Sequence, residues 1–274
     1  MPYIHIHDKK LYFREYGKGE PIVFLNGMMM STSSWIPFAD TVSKGYRMIT
    51  VDLLDQGRSD DCEEGYTVDT QASYLNSFLD KLGLDRVHLL GMSYGGKVAL
   101  TFAVKYPSKV KSLILSNTDS LTPNIMKEIG KGWAHAVSTL DGEVFSSIVF
   151  PYMYSYNFYE NNHEFIEYNK KALFKALNER WRDRFLRHLH SALDYDLSLE
   201  INKIKVPTLI ISSELDTLTL TQYQEYIHNQ IENSQWVIIK GAGHAVIFEK
   251  PKEYISLVMK FLDNINNQKQ PHIP

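Results

Sequence analysis

The sequence predicts an α/β fold, in which a mostly parallel sheet is flanked by helices and interrupted by a helical insertion. Short apolar runs, at residues 22–25 and, interrupted only by Thr50, at 48–51, are typical of strands that are buried on both faces of a parallel sheet. Segments with a helical apolar period alternate with such runs, which favours strand-helix-strand crossover units. Over residues 120–199 this alternation gives way to aromatic-rich helical patterning, and it resumes afterwards.

The first part of the chain opens on a predicted hairpin, with strands at residues 3–7 and 11–16 joined by a turn at 8–10. Apolar positions with a helical period over residues 66–82 predict a helix, and Thr67 is suited to cap its N-terminus. The remaining elements of this part are four predicted strands, at residues 22–25, 48–51, 87–90 and 110–115, and one predicted helix, at 97–106.

After the insertion the sheet pattern resumes with two strands, at residues 207–212 and 236–239, and a closing amphipathic helix at 252–265. The chain thus divides into three predicted parts, namely a sheet domain at 1–119 and 200–266, a helical cap at 120–199 and a frayed tail at 267–274.

The composition indicates a soluble globular protein of 274 residues, with 44% hydrophobic and 22% charged residues. A formal net charge of -3 gives no reason to expect a nucleic acid or an anionic membrane as partner. Cys62 is the single cysteine, which excludes an internal disulfide and a cysteine-based metal site. The N-terminus lacks the pattern of a secretion signal, so a cytoplasmic location is expected. Nothing in the sequence indicates the oligomeric state.

A Gly-x-Ser-x-Gly pattern at residues 91–95 lies between an apolar run and a predicted helix. Glycine on both sides of Ser93 lets the backbone make a sharp strand-to-helix turn, which exposes the hydroxyl as a nucleophile. A plain loop in which Ser93 only caps the helix is the alternative. Gly96 favours the nucleophile, because it allows the helix to pack closely against the sheet.

A serine nucleophile needs a base to take its proton and an acid to orient that base. His244 is the candidate base, because it follows a predicted strand and would lie at the end of that strand. Asp216, also just past a strand, is the candidate acid, and the chain order Ser93, Asp216, His244 is one that serine hydrolases use. Glu214 and Asp119 remain alternatives for the acid, and Asp216 is favoured by chain order and loop position.

Five segments carry a family resemblance, namely Asn26-Gly27 with Trp35, DQGRS at 55–59, GMSYGG at 91–96, Glu214-Leu215-Asp216, and GAGH at 241–244 followed by FEKP at 248–251. Together they resemble the α/β-hydrolase fold family, in its capped, esterase-like branch, over nearly the whole chain except the cap. The resemblance implies an eight-stranded, mostly parallel sheet with a lid inserted after the sixth strand. It also implies a serine hydrolase that requires no metal or organic cofactor.

The resemblance further implies an oxyanion hole, in which two backbone N–H groups stabilise the negative oxygen formed during attack. By the family's pattern these are the N–H groups of Met28 and Tyr94. Many relatives have His-Gly where this chain has Asn26-Gly27, and an amide can replace the imidazole in bracing the loop.

Cap residues select the substrate in the family that the chain resembles. The expected pocket residues come from the loop after the third strand, the serine turn and the cap, namely Asn26, Met29, Met92, Trp133, Tyr152, Tyr156 and Phe158. Because methionine adapts to irregular apolar shapes, we expect a small-molecule substrate with an apolar acyl or alkyl portion. The leading hypothesis is hydrolysis of a carboxylic ester, or of a thioester, through an acyl-enzyme. The alternatives are a ligand-binding receptor or pseudoenzyme on the same fold, and a C–C bond hydrolase or perhydrolase.

Overall fold

The computed structural model describes residues 2–267, which fold around one eight-stranded sheet. Its strands are, in chain order, β1 (Tyr3–Ile6), β2 (Lys9–Tyr16), β3 (Glu20–Leu25), β4 (Tyr46–Asp52), β5 (Val87–Met92), β6 (Val110–Ser116), β7 (Thr208–Ser213) and β8 (Ser234–Ile239). Across the sheet the order is β1-β2-β4-β3-β5-β6-β7-β8. The pairs β1–β2 and β2–β4 are antiparallel, and every other neighbouring pair is parallel. The predicted fold class is therefore confirmed.

The described residues also form eleven α-helices. They are α1 (Ala39–Val42), α2 (Val68–Lys81), α3 (Tyr94–Lys105), α4 (Asn124–Ser138), α5 (Gly142–Met153), α6 (Tyr156–Asn161), α7 (His163–Ala176), α8 (Glu179–Ser191), α9 (Thr221–Gln230), α10 (Val246–Glu249) and α11 (Pro251–Asn267). Asn267, predicted as the first residue of the tail, is the last residue of α11, and residues 268–274 lie outside the described residues. Between residues 2 and 267, no helix is both long and apolar enough to cross a membrane.

Two apolar cores lie on the two faces of the sheet. In β3, Val23 and Leu25 join the core that contains α2, α3 and α9, whereas Ile22 and Phe24 join the core that contains α1 and α11. All four side chains are fully buried. Because successive side chains of a strand point to opposite faces, a sheet covered on both sides requires wholly apolar runs of this kind.

Most predicted elements are confirmed within a few residues, and the first hairpin differs in its turn. The turn consists of His7 and Asp8, not of residues 8–10. A two-residue hairpin turn favours residues with positive φ, and His7 has a φ of 54°. Thr67 caps α2 as predicted, because its side chain accepts a hydrogen bond from the Thr70 N–H.

Helices α4 to α8 form a helical segment between β6 and β7, with an apolar core of its own. Arg187 of α8 donates to both carboxylate oxygens of Asp55, at 2.9 and 2.7 Å. Arg184, one turn earlier, donates to the main-chain oxygens of Gln56 and Ser59, both at 2.9 Å. These charge-assisted bonds tie the helical segment to the loop that follows β4.

Candidate active site

Ser93 occupies the tight turn between β5 and α3, where the parallel strands end. Its backbone has φ 51° and ψ -116°, a strained conformation for a residue with a side chain. Gly91 and Gly95 pass so close to each other that a Cβ on Gly91 would collide with the Gly95 carbonyl group. The Ser93 N–H donates to Ser116 O, and Thr118 Oγ1 donates to Ser93 O, both at 2.8 Å. The glycine pattern therefore produces the sharp turn that it predicts.

Ser93, His244 and Asp216 are hydrogen-bonded in series. His244 Nε2 lies 2.9 Å from Ser93 Oγ, and His244 Nδ1 lies 2.8 Å from Asp216 Oδ2. Asp216 also accepts hydrogen bonds from Leu218 N and from Thr219 N and Oγ1, at 2.8, 2.9 and 2.7 Å, which fix the orientation of the carboxylate. Such an arrangement can move a proton from the hydroxyl to the imidazole while the carboxylate stabilises the imidazolium.

The two alternative acids are engaged elsewhere. Glu214 accepts hydrogen bonds from Lys240 Nζ and from the Gly241 N–H, both at 2.9 Å. Asp119 is paired with Lys97 Nζ, and both side chains are almost fully buried. Burial lowers the pKa of the Lys97 ammonium and raises the pKa of the Asp119 carboxyl, while the opposite charge of each partner acts against these shifts. Neither carboxylate is hydrogen-bonded to the imidazole.

Met28 and Tyr94, which contain the predicted oxyanion-binding N–H groups, line the same cavity as Ser93. Neither N–H group donates to a protein acceptor within the described part of the chain. Tyr94 is the first residue of α3, so its N–H has no acceptor inside the helix. Gly27 brings the Met28 loop close to the serine, since a Cβ on Gly27 would lie 3.5 Å from Ser93 Cβ. Both N–H groups are therefore available to a ligand bound at Ser93.

Asn26 braces the Met28 loop from inside the protein. Its Nδ2 donates to Val51 O and to Asp52 Oδ1, both at 3.0 Å, and its Oδ1 accepts from Trp35 Nε1 at 2.8 Å. The Thr32 N–H, at the other end of the loop, donates to the same Asp52 oxygen at 2.7 Å. Because an amide donates and accepts at once, this one side chain connects β4 to both ends of the loop.

The cavity at Ser93 is lined almost entirely by apolar side chains. Six of the nine methionines of the chain line it, namely Met28, Met29, Met30, Met92, Met126 and Met153. Lys97 and His244 are the basic side chains on its described lining, which includes no aspartate or glutamate. Elsewhere among residues 2–267, no three His, Cys, Asp or Glu side chains are grouped so as to hold a metal ion. The cavity is suited to apolar groups of varied shape, since methionine is unbranched and flexible.

Three of the seven predicted pocket residues line this cavity, namely Met29, Met92 and Trp133. The other four do not, which corrects the prediction for Asn26, Tyr152, Tyr156 and Phe158. Tyr152 packs against Trp133, and Phe158 stacks on Tyr154. The Tyr156 side chain is 69% exposed. Tyr152 and Phe158 thus contribute to the packing of the helical segment, and Tyr156 lies on its surface.

Glu249 connects the His244 loop to the helical segment. Its carboxylate accepts hydrogen bonds from Gly243 N at 3.1 Å, from Ser155 N at 2.9 Å and from Ser155 Oγ at 2.6 Å. The Ala245 N–H donates to Met153 O at 2.7 Å, and Met153 lines the cavity. The residues on both sides of His244 are therefore held by the junction between α5 and α6.

Sequence reasoning missed Lys97, Thr219 and Glu249 around the site. A local signal exists for Thr219, because side chains and N–H groups two or three residues after an aspartate commonly bond to its carboxylate. Lys97 follows Ser93 by four residues, a spacing that predicts neighbouring positions on the helix. Glu249 belongs to a segment that carries the family resemblance, but its partner Ser155 is 94 residues away and no local pattern indicates it.

The family model described as alpha/beta hydrolase fold matches residues 20–251. A proline iminopeptidase of Lactobacillus acidophilus is 30% identical, over 89% of this chain and 90% of its own length. A Bacillus subtilis protein named as a putative 2-succinyl-6-hydroxy-2,4-cyclohexadiene-1-carboxylate synthase is 29% identical, over 90% of this chain and 91% of its own. MGS-M2, an alpha/beta hydrolase enzyme from a Medee basin deep-sea metagenome library, has a solved structure with 36% identity and a TM-score of 0.93, covering 95% of this chain and 97% of its own. With the sheet order and the Ser93 turn described above, these matches identify the chain as a member of the alpha/beta hydrolase fold family, which supports a hydrolase acting on small molecules.

Proposed function

We propose that the protein is a serine hydrolase that cleaves carboxylic esters of apolar acyl groups through an acyl-enzyme. Ser93 is the nucleophile, His244 the general base and Asp216 the acid that orients it. The observation that carries the proposal is the pair of hydrogen bonds at His244, 2.9 Å to Ser93 Oγ and 2.8 Å to Asp216 Oδ2, beside an apolar cavity. Thioesters react through the same steps and belong to the same proposal.

In the first half of the reaction, His244 takes the proton of Ser93 Oγ while the oxygen adds to the acyl carbon. The N–H groups of Met28 and Tyr94 donate to the oxygen that becomes negative, and each such donor contributes a factor of about 100 to 1000 in rate. His244 then gives its proton to the leaving alcohol. In the second half, His244 activates a water molecule in the same way, and the acid is released.

The helical segment acts in this proposal as a cap that selects the acyl group. Support comes from the cavity lining, to which the segment contributes Met126, Ile129, Trp133, Met153 and Leu189. Met28 and Met29 line the same cavity and pack against the apolar core of this segment. Burying an apolar acyl group in this cavity is favourable by about 0.8 kcal/mol for each methylene. Each added methylene should therefore raise kcat/KM by the factor that corresponds to this free energy.

Amide hydrolysis is the competing reaction, because proline iminopeptidases are among the similar proteins. The same residues could cleave an amide, provided that the leaving amine is protonated as it departs. A substrate with a free amino group near its scissile bond would bring a positive charge into the cavity. No carboxylate lines that cavity among the described residues, so the charge would lose its hydration without gaining a partner. This composition favours neutral acyl groups over aminoacyl groups.

The first test is labelling with a fluorophosphonate, which reacts with an activated serine. We expect labelling of the wild-type protein and none of Ser93→Ala. An unlabelled wild-type protein would refute the proposal and favour a ligand-binding receptor or pseudoenzyme. Labelling without turnover of any ester or anilide would favour the C–C bond hydrolase or perhydrolase.

The second test compares p-nitrophenyl esters of increasing acyl length, each matched with the p-nitroanilide of the same acid. We expect kcat/KM to rise with acyl length until the cavity is full, and the esters to be far better substrates than the anilides. Activity confined to charged or sugar-like acyl groups would refute the apolar acyl site. Anilides that are turned over as fast as the esters would make amide hydrolysis the principal reaction.

A further inference from the structure

A buried ion pair lies beside the cavity at Ser93. Lys97 follows Ser93 by one turn of α3 and lines the cavity, whereas its partner Asp119 does not. The Lys97 side chain is 5% exposed and that of Asp119 is 1% exposed. The pair is neutral as a whole, and its positive member is the one that lines the cavity.

Three contacts hold the Lys97 ammonium in place. It donates to Asp119 Oδ1 and to Thr122 Oγ1, the latter at 2.9 Å, and it lies 4.8 Å from the centre of the Tyr195 ring. Asp119 Oδ2 has no hydrogen-bond partner among the described residues. Lys97 is therefore the main compensation for this carboxylate, and removing it would leave an unpaired negative charge next to the cavity.

The described walls of the two cavities that share the Met28 loop with this one offer no counter-charge for a cation either. Two further cavities adjoin the first at Met28, Met29 and Met30. Their described lining residues include no aspartate or glutamate, and one of the two includes Arg184. A positively charged group would thus lose hydration in this cavity and lie beside the cationic member of the ion pair.

We propose that Lys97 is a specificity-determining residue, whose ammonium excludes positively charged acyl groups. The protein accepts neutral acyl groups and rejects α-aminoacyl groups of the same shape. This inference rests on the proposed function, since it concerns the acyl group that Ser93 would receive. It assigns the selection to the buried pair and not to the shape of the cavity.

The test uses two p-nitrophenyl esters of nearly equal shape, the cyclopentanecarboxylate and the prolinate, at a pH where the prolyl amine is protonated. Each kcat/KM is divided by the rate constant of the same ester with hydroxide, which removes differences in intrinsic reactivity. We expect the wild-type protein to prefer the neutral ester by a factor on the order of 100. In Lys97→Met the uncompensated charge of Asp119 should lower this preference by about tenfold or more.

The double variant Lys97→Met/Asp119→Asn is the matched control, because it removes both charges and keeps the volumes similar. Its preference should lie between those of the wild-type protein and Lys97→Met. An equal preference in all three proteins would overturn the inference, since a purely structural lysine would change both substrates alike. Equal rates of the two esters in the wild-type protein would overturn it too.

In both cases Ser93-dependent turnover of the neutral ester leaves the proposed function standing, whereas the absence of that turnover refutes the proposed function separately. If Lys97→Met does not fold, the comparison of the wild-type protein with the double variant decides, because the preference must still fall.

Discussion

Replacing Asp216 by asparagine should abolish nearly all turnover without disturbing the fold. Asp216 Oδ1 accepts the N–H groups of Leu218 and Thr219, at 2.8 and 2.9 Å. In Asp216→Asn the amide oxygen must keep this position, so the NH₂ group takes the place of Oδ2 and faces His244 Nδ1. The imidazole then has to accept at Nδ1 and carry its proton on Nε2, which faces Ser93 Oγ at 2.9 Å. A protonated Nε2 cannot take the serine proton.

The expected loss in kcat is about 10⁴-fold, as for the equivalent change in a Ser-His-Asp protease, which corresponds to about 5.5 kcal/mol of transition-state stabilisation. The assay is steady-state hydrolysis of a p-nitrophenyl ester, together with the rate of fluorophosphonate labelling, which should fall in parallel. Glu214→Gln is the control on the same loop, because Glu214 is bound to Lys240 and Gly241. We expect its kcat to stay within a factor of about two.

Asp119→Asn tests the rival acid. If Asp216→Asn keeps its kcat within tenfold of the wild-type value while Asp119→Asn loses three orders of magnitude, the orienting role belongs to Asp119 and the reasoning from hydrogen bonds is refuted. A loss in Asp216→Asn accompanied by a lower thermal transition of the same protein would count as misfolding, so circular dichroism and thermal unfolding accompany each rate.

Three further outcomes are expected. Ser93→Gly should unfold at a temperature about 2 °C above that of Ser93→Ala, because only glycine relieves the backbone strain at φ 51°; an equal or lower temperature would show that no strain is released. Burial lowers the pKa of His188 from 6.5 to about 3. Between these two pH values, His188 is protonated in the unfolded chain and neutral in the folded chain. The free energy of unfolding should therefore drop by about 2 kcal/mol between neutral pH and pH 5, and urea titrations of His188→Asn should lack this part of the drop. Glu249→Ala should slow Ser93 labelling about tenfold or more, because the His244 loop loses support at Gly243. Ser155→Ala keeps the hydrogen bond from the Ser155 N–H to Glu249 and should change the labelling rate much less. Equal labelling rates in both variants and the wild-type protein would exclude a positioning role for Glu249.

The elements that the sequence predicts well are those decided by local patterns. The wholly apolar run of β3 can be accommodated only between two covered faces, and the glycines around Ser93 determine the turn from immediate sterics. Asp216 and His244 could be selected because each follows a strand, and parallel strands bring their ends to one edge of the sheet. The hydrogen bonds among the three side chains follow from that topology.

The residues that the sequence predicts poorly depend on how distant elements dock. A helical period shows that a helix of the insertion is amphipathic, but not which side faces Ser93. The sequence therefore predicts Tyr156 in the pocket, whereas the structure exposes it. Met126 and Met153 line the cavity because α4 and α5 pack against the sheet domain in one particular orientation. The partnership of Lys97 with Asp119 likewise arises only when α3 and the loop after β6 come together.

The bonds of Glu249 place a constraint on how this chain can diversify. An exchange of residues 120–199 for another helical segment would alter the cavity at Ser93. It would also remove the Met153 carbonyl that binds Ala245 and the Ser155 donors that fix Glu249, the acceptor of the Gly243 N–H. A variant with a new substrate range made by such an exchange should therefore also turn over more slowly, unless it keeps the junction at residues 153–155. Transplanted caps for this scaffold should be cut outside that junction, so that recognition can be varied while proton transfer is preserved.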